Sequence, residues 1–153
     1  MTSLDLKIPP LVVMAFVGGL MWLGTRAAPA AGFALPARQA IALGLAAVGV
    51  GVAVAGVVSF RVAKTTVNPL KPETASSLVV SGIYQVSRNP MYLGAMIVLI
   101  GWAVALTNAF ACIVAILFVL YLNRFQIIPE EKALTARFGP EFAAYCAKVR
   151  RWI

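Results

Sequence analysis

Arg88-Asn89-Pro90-Met91-Tyr92 and, further along, Glu130-Glu131 hold the side chains of this chain best suited to chemistry. A carboxylate can pair with a cation or take up a proton, and a helix N-terminus with free N–H groups can receive a carboxylate or phosphate. Asn89-Pro90 ahead of an apolar run predicts such an N-terminus, with Asn89 as N-cap and Pro90 at the first helical position. Pro129-Glu130-Glu131 predicts a second helix start, its acids in the first turn as the helix dipole prefers. Adjacent helical residues point about 100° apart. Glu130 and Glu131 therefore require different partners, and Arg88, Arg124 and Arg151 are the candidates. Phe138-Gly139-Pro140 predicts the stop of that helix and the start of a last short one reaching toward Arg151. The chain has no histidine and only two cysteines, so no metal site is expected and zinc, haem and iron–sulfur centres lack a ligand set. Cys112 falls in an expected helix and Cys146 in the tail, and both are expected to be free thiols.

The elements that must position these residues lie in a membrane. Of the 153 residues, 61% are hydrophobic and 12% charged, and the mean hydropathy is +0.91. Three uncharged intervals stand out, at residues 8 to 25, 39 to 60 and 89 to 123. The first two are each about one spanning helix long, and the third would extend roughly 52 Å as a single helix, too long for a hydrocarbon core of about 30 Å. It must fold back, and Thr107-Asn108 is the polar pair near its middle. Two antiparallel helices, about 91 to 106 and 109 to 124, are expected, each somewhat short for the bilayer. Residues 1 to 25 fit a retained helix better than a secretory signal, because Asp5 interrupts the basic leader segment.

The expected fold class is an all-α integral membrane protein of about four transmembrane helices, the last two a hairpin, followed by short cytoplasmic C-terminal helices. It forms one membrane domain over 1–153, with two N-terminal membrane helices in 1–62 and a cofactor-binding, catalytic half in 63–153. Placing the N terminus inside puts Lys7, Arg61, Lys64, Lys71, Arg88, Arg124, Lys132, Arg137, Lys148, Arg150 and Arg151 in the cytoplasm, and only Arg26 and Arg38 outside. Localisation in the cell (inner) membrane follows, with both termini and the site facing the cytoplasm. The net charge of +8 is thereby assigned to topology and to anionic lipid headgroups. Nucleic acid is excluded as a partner because these charges flank spans and form no separate basic domain.

Helix two, Ala40 to Phe60, carries small residues at three- and four-residue spacing: Gly44, Ala47, Gly51 and Ala55, and also Gly49 and Ala53. They predict close helix packing. A nucleotide-binding glycine loop would need a preceding strand, which is lacking. The segment from Arg61 to Ser87 contains Asn68-Pro69 and Lys71-Pro72, which stop a helix, and Ser76 to Tyr84 is expected to be extended or re-entrant, with Gly82 at a bend.

Taken together, Gly82-x-Tyr84-x-x-x-Arg88-Asn89-Pro90-x-Tyr92-x-Gly94, a membrane hairpin, and Glu130-Glu131-x-x-Leu134-x-x-x-Phe138-Gly139 with Tyr145 and a closing Val149-x-Arg151 resemble the isoprenylcysteine carboxyl methyltransferase and phospholipid methyltransferase superfamily. The resemblance covers about residues 65 to 152. It implies a membrane methyltransferase using S-adenosylmethionine at the cytoplasmic surface. Cofactor contacts are carried over to Ser76, Ser77, Leu78, Val79, Tyr84, Asn89, Pro90, Met91, Tyr92 and Glu130. The cofactor's ammonium suits a carboxylate such as Glu130, its carboxylate the helix start at Pro90, and its adenine or sulfonium the rings of Tyr84 and Tyr92. Aligning acceptor and methyl group supplies most of the expected acceleration. Glu130, Glu131 and Arg88 are the expected catalytic residues.

In the prenylcysteine branch an arginine lies four residues before the first Glu and is assigned to the substrate carboxylate. Here that position is Gln126, with Arg124 two residues earlier. A neutral amide holds a carboxylate less strongly than a guanidinium. Arg124 and Gln126 are therefore expected to bind a lipid-like acceptor, an amino lipid in preference to a prenylcysteine carboxylate. The tail is expected between helices three and four. A four-helix transporter is the rival reading. It lacks the ionisable residue that a transport path carries within a span.

Overall fold

Gly49 and Gly94 bring two helix backbones close together. A Cβ on Gly49 would stand 2.6 Å from the carbonyl oxygen of Gly94, and one on Gly94 would meet the carbonyl of Gly49. The two helices concerned are α2 (Arg38–Val62) and α3 (Pro90–Leu106) in a computed structural model that describes residues 5–64 and 76–153. Gly56 continues the seam against Met91 and Pro90, and Gly101 meets the carbonyl of Ala42. The buried residues of α2 are Ala42, Gly49 and Gly56, one every seven positions. Of the two small-residue series in α2, the one through Gly49 and Ala53 faces α3, whereas Gly44 and Gly51 have open space beside them. Without side chains in between, the backbones gain dispersion contact that lipid cannot match.

The remaining helices are α1 (Pro10–Ala27), α4 (Ala109–Leu122), α5 (Ile128–Phe138) and α6 (Pro140–Lys148). Val13, Val17 and Met21 of α1 form one buried cluster with Val114 and Phe118 of α4 and Leu99 of α3. Three stretches are long and apolar enough to cross a membrane: Pro10–Ala27, Arg38–Val62 and Ala109–Phe138, the last taken through a bend. α3 is a shorter apolar helix of 17 residues. No strand occurs among the described residues. Asn68-Pro69 and Lys71-Pro72 lie outside those residues, so the expectation for that part of the 61–87 segment is not addressed by the structure.

The expected hairpin turn is at Thr107-Asn108. Thr107 takes a left-handed conformation (φ 47°) and its N–H donates to Ala103 O, closing α3. Asn108 caps α4 by accepting from Phe110 N–H at 2.9 Å, while its amide donates to Ala28 O at 3.0 Å. Arg38 donates to the Thr107 hydroxyl at 2.9 Å, and Gly32 pairs with Asn108 as a single antiparallel bridge. The α1–α2 and α3–α4 connections thus lock together at one end of the bundle.

At the opposite end α5 has Pro129 and both glutamates in its first turn, as expected, but it is not a separate helix start. The chain leaves α4 through a five-residue π turn, Asn123–Ile127, and passes directly into α5, so Glu130 and Glu131 lie in a continuing helix instead of at a free N-terminus. A π turn accommodates one residue more than an α turn. Pro129, within the first turn of α5, has no N–H to return to the preceding turn, which explains why regular helix is interrupted just before it. Gly139 (φ 48°) separates α5 from α6, as its lack of a Cβ permits.

Candidate active site

Four segments converge at the end of the bundle opposite Thr107: the 3₁₀ turn Gly82–Gln85, the start of α3, the π turn with α5, and the chain after α6. Tyr92 projects from the first turn of α3, and its hydroxyl donates to Glu130 Oε2 at 3.0 Å. Gln126 hydrogen bonds the same hydroxyl and is 2% exposed. The two residues expected to act separately, one on cofactor and one on acceptor, are therefore linked through one tyrosine. Among the described residues no cation lies within 4 Å of the Glu130 carboxylate.

Glu131 is held quite differently. Arg88 Nη2 stands 2.8 Å from its Oε1, and Arg151 Nη2 2.6 Å from its Oε2, with Arg151 Nε 3.1 Å from Oε1. Its hydrogen bonds raise the Arg151 guanidinium above its ordinary value. Arg124, the third candidate partner, meets neither glutamate and instead faces Asp5 at 3.5 Å with its side chain half exposed.

The chain following α6 threads between these groups. Arg88 N–H donates to Arg150 O at 3.1 Å, and Asn89 Nδ2 donates to Arg151 O at 2.9 Å. Trp152 Nε1 reaches Asn123 Oδ1 at 3.3 Å. This corrects the expected capping role: Asn89 occupies the residue before α3, but its side chain makes no capping bond and holds the C-terminal segment instead. Pro90 does stand at the first helical position. The N–H groups of Met91 and Tyr92 precede the first bond of the helix, Leu93 N–H to Asn89 O. Nearby, Arg88 Nε is buried without a hydrogen-bond partner.

Tyr84 is buried, edge-on to Phe60 at 5.4 Å between ring centroids. Its carbonyl accepts the Tyr145 hydroxyl at 2.7 Å. Burial and then the charge of Glu130 raise the Tyr84 hydroxyl far above its usual value, and burial pushes Tyr145 up to about 12, so both stay protonated donors. Leu78 packs on the cluster of Phe142, Tyr145 and Val149, and Val79 is buried. Ser76 and Ser77 are exposed, and the Ser77 hydroxyl donates to Ala63 O at 3.4 Å. The side chains of Pro90 and Met91 turn toward Gly56 of α2, which leaves the backbone of that helical turn for a ligand.

Ser87, unremarked in the sequence, is fully buried and bonded through its hydroxyl to Asn89 N–H and Arg151 O. Asn123 and Trp152 are equally inconspicuous there. Nothing in their local sequence marks them, since each is defined by a partner distant in the chain.

The free helical N–H groups at Met91 and Tyr92 with the unpartnered Arg88 Nε can receive a carboxylate, and the Glu130 carboxylate can receive a cation. Among the described residues no group of three or more potential metal ligands occurs.

Three helical stretches long and apolar enough to cross a membrane thus carry a polar cluster at one end. The chain belongs to the phospholipid methyltransferase family, which it matches over residues 37–141. It is also 43% identical over 63 residues to an uncharacterized protein of Haemophilus influenzae, an alignment spanning 41% of this chain and all of that protein. No solved structure matches the chain.

Proposed function

We propose that the protein transfers a methyl group from S-adenosylmethionine to a membrane-embedded amphiphile, an amino lipid in preference to a prenylcysteine carboxylate, on the cytoplasmic side of the cell membrane. The observation that carries this reading is Glu130: a carboxylate bonded to Tyr92, beside a helix N-terminus, with no cation of its own among the described residues. Arg88 Nη2 and Arg151, paired with Glu131, brace the site, and Arg88 Nε is left for a ligand.

S-adenosylmethionine, when bound, supplies an electrophilic methyl group on a sulfonium. The chain orients it through the Met91 and Tyr92 N–H groups and Arg88 Nε on one side and the Glu130 carboxylate on the other. An amine acceptor would arrive as an ammonium and lose a proton to the Glu130 carboxylate, and its lone pair would then bond the methyl carbon as the sulfur–methyl bond breaks and S-adenosylhomocysteine leaves. Tyr92, itself hydrogen-bonded by Gln126, holds that carboxylate in place, so the gain comes from alignment.

An apolar groove of about 510 Å³ runs between α1 and α3, lined among others by Leu11, Met14, Gly19, Leu99 and Trp102. From Leu11 to Trp22 it extends roughly 16 Å along α1, about half the hydrocarbon thickness. It suits one acyl chain of the leaflet on the site side, and supports placing the acceptor tail there as well as between α3 and α4.

The test is transfer of radiolabelled methyl from S-adenosylmethionine into vesicles of an amino phospholipid, compared with a prenylcysteine. Label in the amino lipid is expected. Label only in the prenylcysteine selects the carboxylate acceptor, and label in neither, with no binding of the cofactor, removes the methyltransferase reading of this chain.

A further inference from the structure

Pro129 stands four residues after Phe125, so the Phe125 carbonyl lacks the helical donor it would otherwise have. A donor comes from a remote part of the chain: Leu6 N–H bonds Phe125 O at 3.0 Å. Leu6 adopts a left-handed backbone conformation (φ 57°), unfavourable for leucine and retained only where surrounding contacts require it. Its neighbour Asp5 is 9% exposed and directs its carboxylate at Arg124 Nη1, 3.5 Å away. The Arg124 guanidinium in turn lies 5.2 Å from the centre of the Phe125 ring.

Phe125 is the centre of the π turn Asn123–Ile127. Because that turn takes in one extra residue, every later side chain is rotated by about 100° from its direction on an uninterrupted helix. Gln126 lies inside the turn and Glu130 just beyond it, and both meet the Tyr92 hydroxyl. Their convergence depends on the turn.

We propose that Asp5 and Leu6 are positioning residues that clamp the π turn from outside, so that Glu130 and Gln126 face Tyr92. Leu6 supplies the bond Pro129 cannot make, and Asp5 fixes Arg124 over the adjoining ring. The consequence for catalysis rests on the methyltransferase reading. The consequence for site geometry does not.

Pro129→Ala tests this, because it returns an N–H that competes with Leu6 for Phe125 O while improving helix propensity. Asp5→Lys, which opposes Arg124, releases the segment by a second route. Three measurements follow in the full chain: hydrogen exchange at the Leu6 amide, the fluorine spectrum of protein containing 3-fluorotyrosine with the Tyr92 signal assigned through Tyr92→Phe, and transfer kinetics with amino phospholipid vesicles. Wild-type protein is expected to protect the Leu6 amide. Both variants should lose that protection and displace the Tyr92 signal. Their kcat should fall at least tenfold with acceptor KM within threefold, and Asp5→Glu should retain more than half of wild-type kcat. A freely exchanging Leu6 amide in the wild type overturns the proposal, as does release of Leu6 with the Tyr92 signal and kcat unchanged. If the wild type transfers no methyl group, the enzymatic reading fails, and the Tyr92 signal alone still decides whether the clamp positions Glu130.

Discussion

Tyr92 on α3 and Glu130 on α5 are joined by a 3.0 Å hydrogen bond across 38 residues of chain. Its neighbour Glu131 is held by Arg88 and Arg151. Two adjacent acids therefore differ in their partners: Glu131 completes an ion cluster, and Glu130 meets Tyr92 with no cation within 4 Å among the described residues. Glu130→Ala should weaken binding of S-adenosylhomocysteine at least tenfold, since loss of one partner of a desolvated charge contact costs about 2 to 5 kcal/mol. Tyr92→Phe keeps the ring and removes one hydrogen bond, worth about 1 kcal/mol. Calorimetry giving wild-type affinity for both would separate this pair from the cofactor.

Removing Glu131 should act on stability first. Glu131→Ala leaves Arg88, with a side chain only 14% exposed, and Arg151 facing each other unpaired. Bonds to charged groups are worth about 1.5 to 3 kcal/mol each, and partial exposure here places the loss at the low end, on the order of 2 kcal/mol. Denaturation in detergent is the measurement. Arg151→Ala keeps the carbonyl that Asn89 bonds but loses both side-chain bonds to Glu131, and should lower stability by a similar amount, whereas unchanged melting of both variants would remove the bracing role.

Much of the frame was legible before any coordinates. Thr107-Asn108 was polar within an apolar run too long for one span, and Asn108 does cap the returning helix. Gly49 and Ala53 fell on a packing period, although only contact with Gly94 distinguishes their face from that of Gly44 and Gly51. Proline and acids placed the first turn of α5 correctly but did not reveal that the chain reaches it through a π turn, where a remote donor, Leu6 N–H, meets Phe125 O. Asn89 misled because its capping preference is a local tendency, outweighed here by the Arg151 carbonyl.

The α2–α3 seam yields a sharp contrast. Gly49→Ala places a methyl 2.6 Å from the Gly94 carbonyl, where backbone must shift, and overpacking of this kind costs about 1 to 3 kcal/mol. Gly51→Ala meets open space two residues away and should be neutral or stabilising by up to about 1 kcal/mol. Equal thermal stabilities of the two variants would contradict the seam.

The groove between α1 and α3 is tested by filling it. Nothing lies within 4 Å of a Cβ at Gly19, so Gly19→Leu enters without a first-atom clash and projects into the groove. For a long-chain amino lipid the acceptor KM is expected to rise at least fivefold, while a short-chain analogue keeps its wild-type value. An equal effect on both chain lengths would place the tail elsewhere.

Acceptor charge is decided at Gln126. Its amide is buried against Tyr92, which is itself bonded to Glu130, so an arginine in its place would bring a guanidinium beside the Glu130 carboxylate. That cation would pair with Glu130, oppose an incoming ammonium and disfavour proton uptake by the carboxylate. Gln126→Arg is therefore expected to reduce methylation of an amino phospholipid at least tenfold. A prenylcysteine carboxylate should lose far less, because it needs no base and gains a guanidinium partner. Both proteins should be assayed against both acceptors at saturating S-adenosylmethionine. Undiminished amino-lipid methylation in the variant would show that Glu130 takes no proton from the acceptor. Robust wild-type methylation of the prenylcysteine, with none on amino lipids, would reverse the acceptor assignment and leave half-exposed Arg124 as the carboxylate's partner.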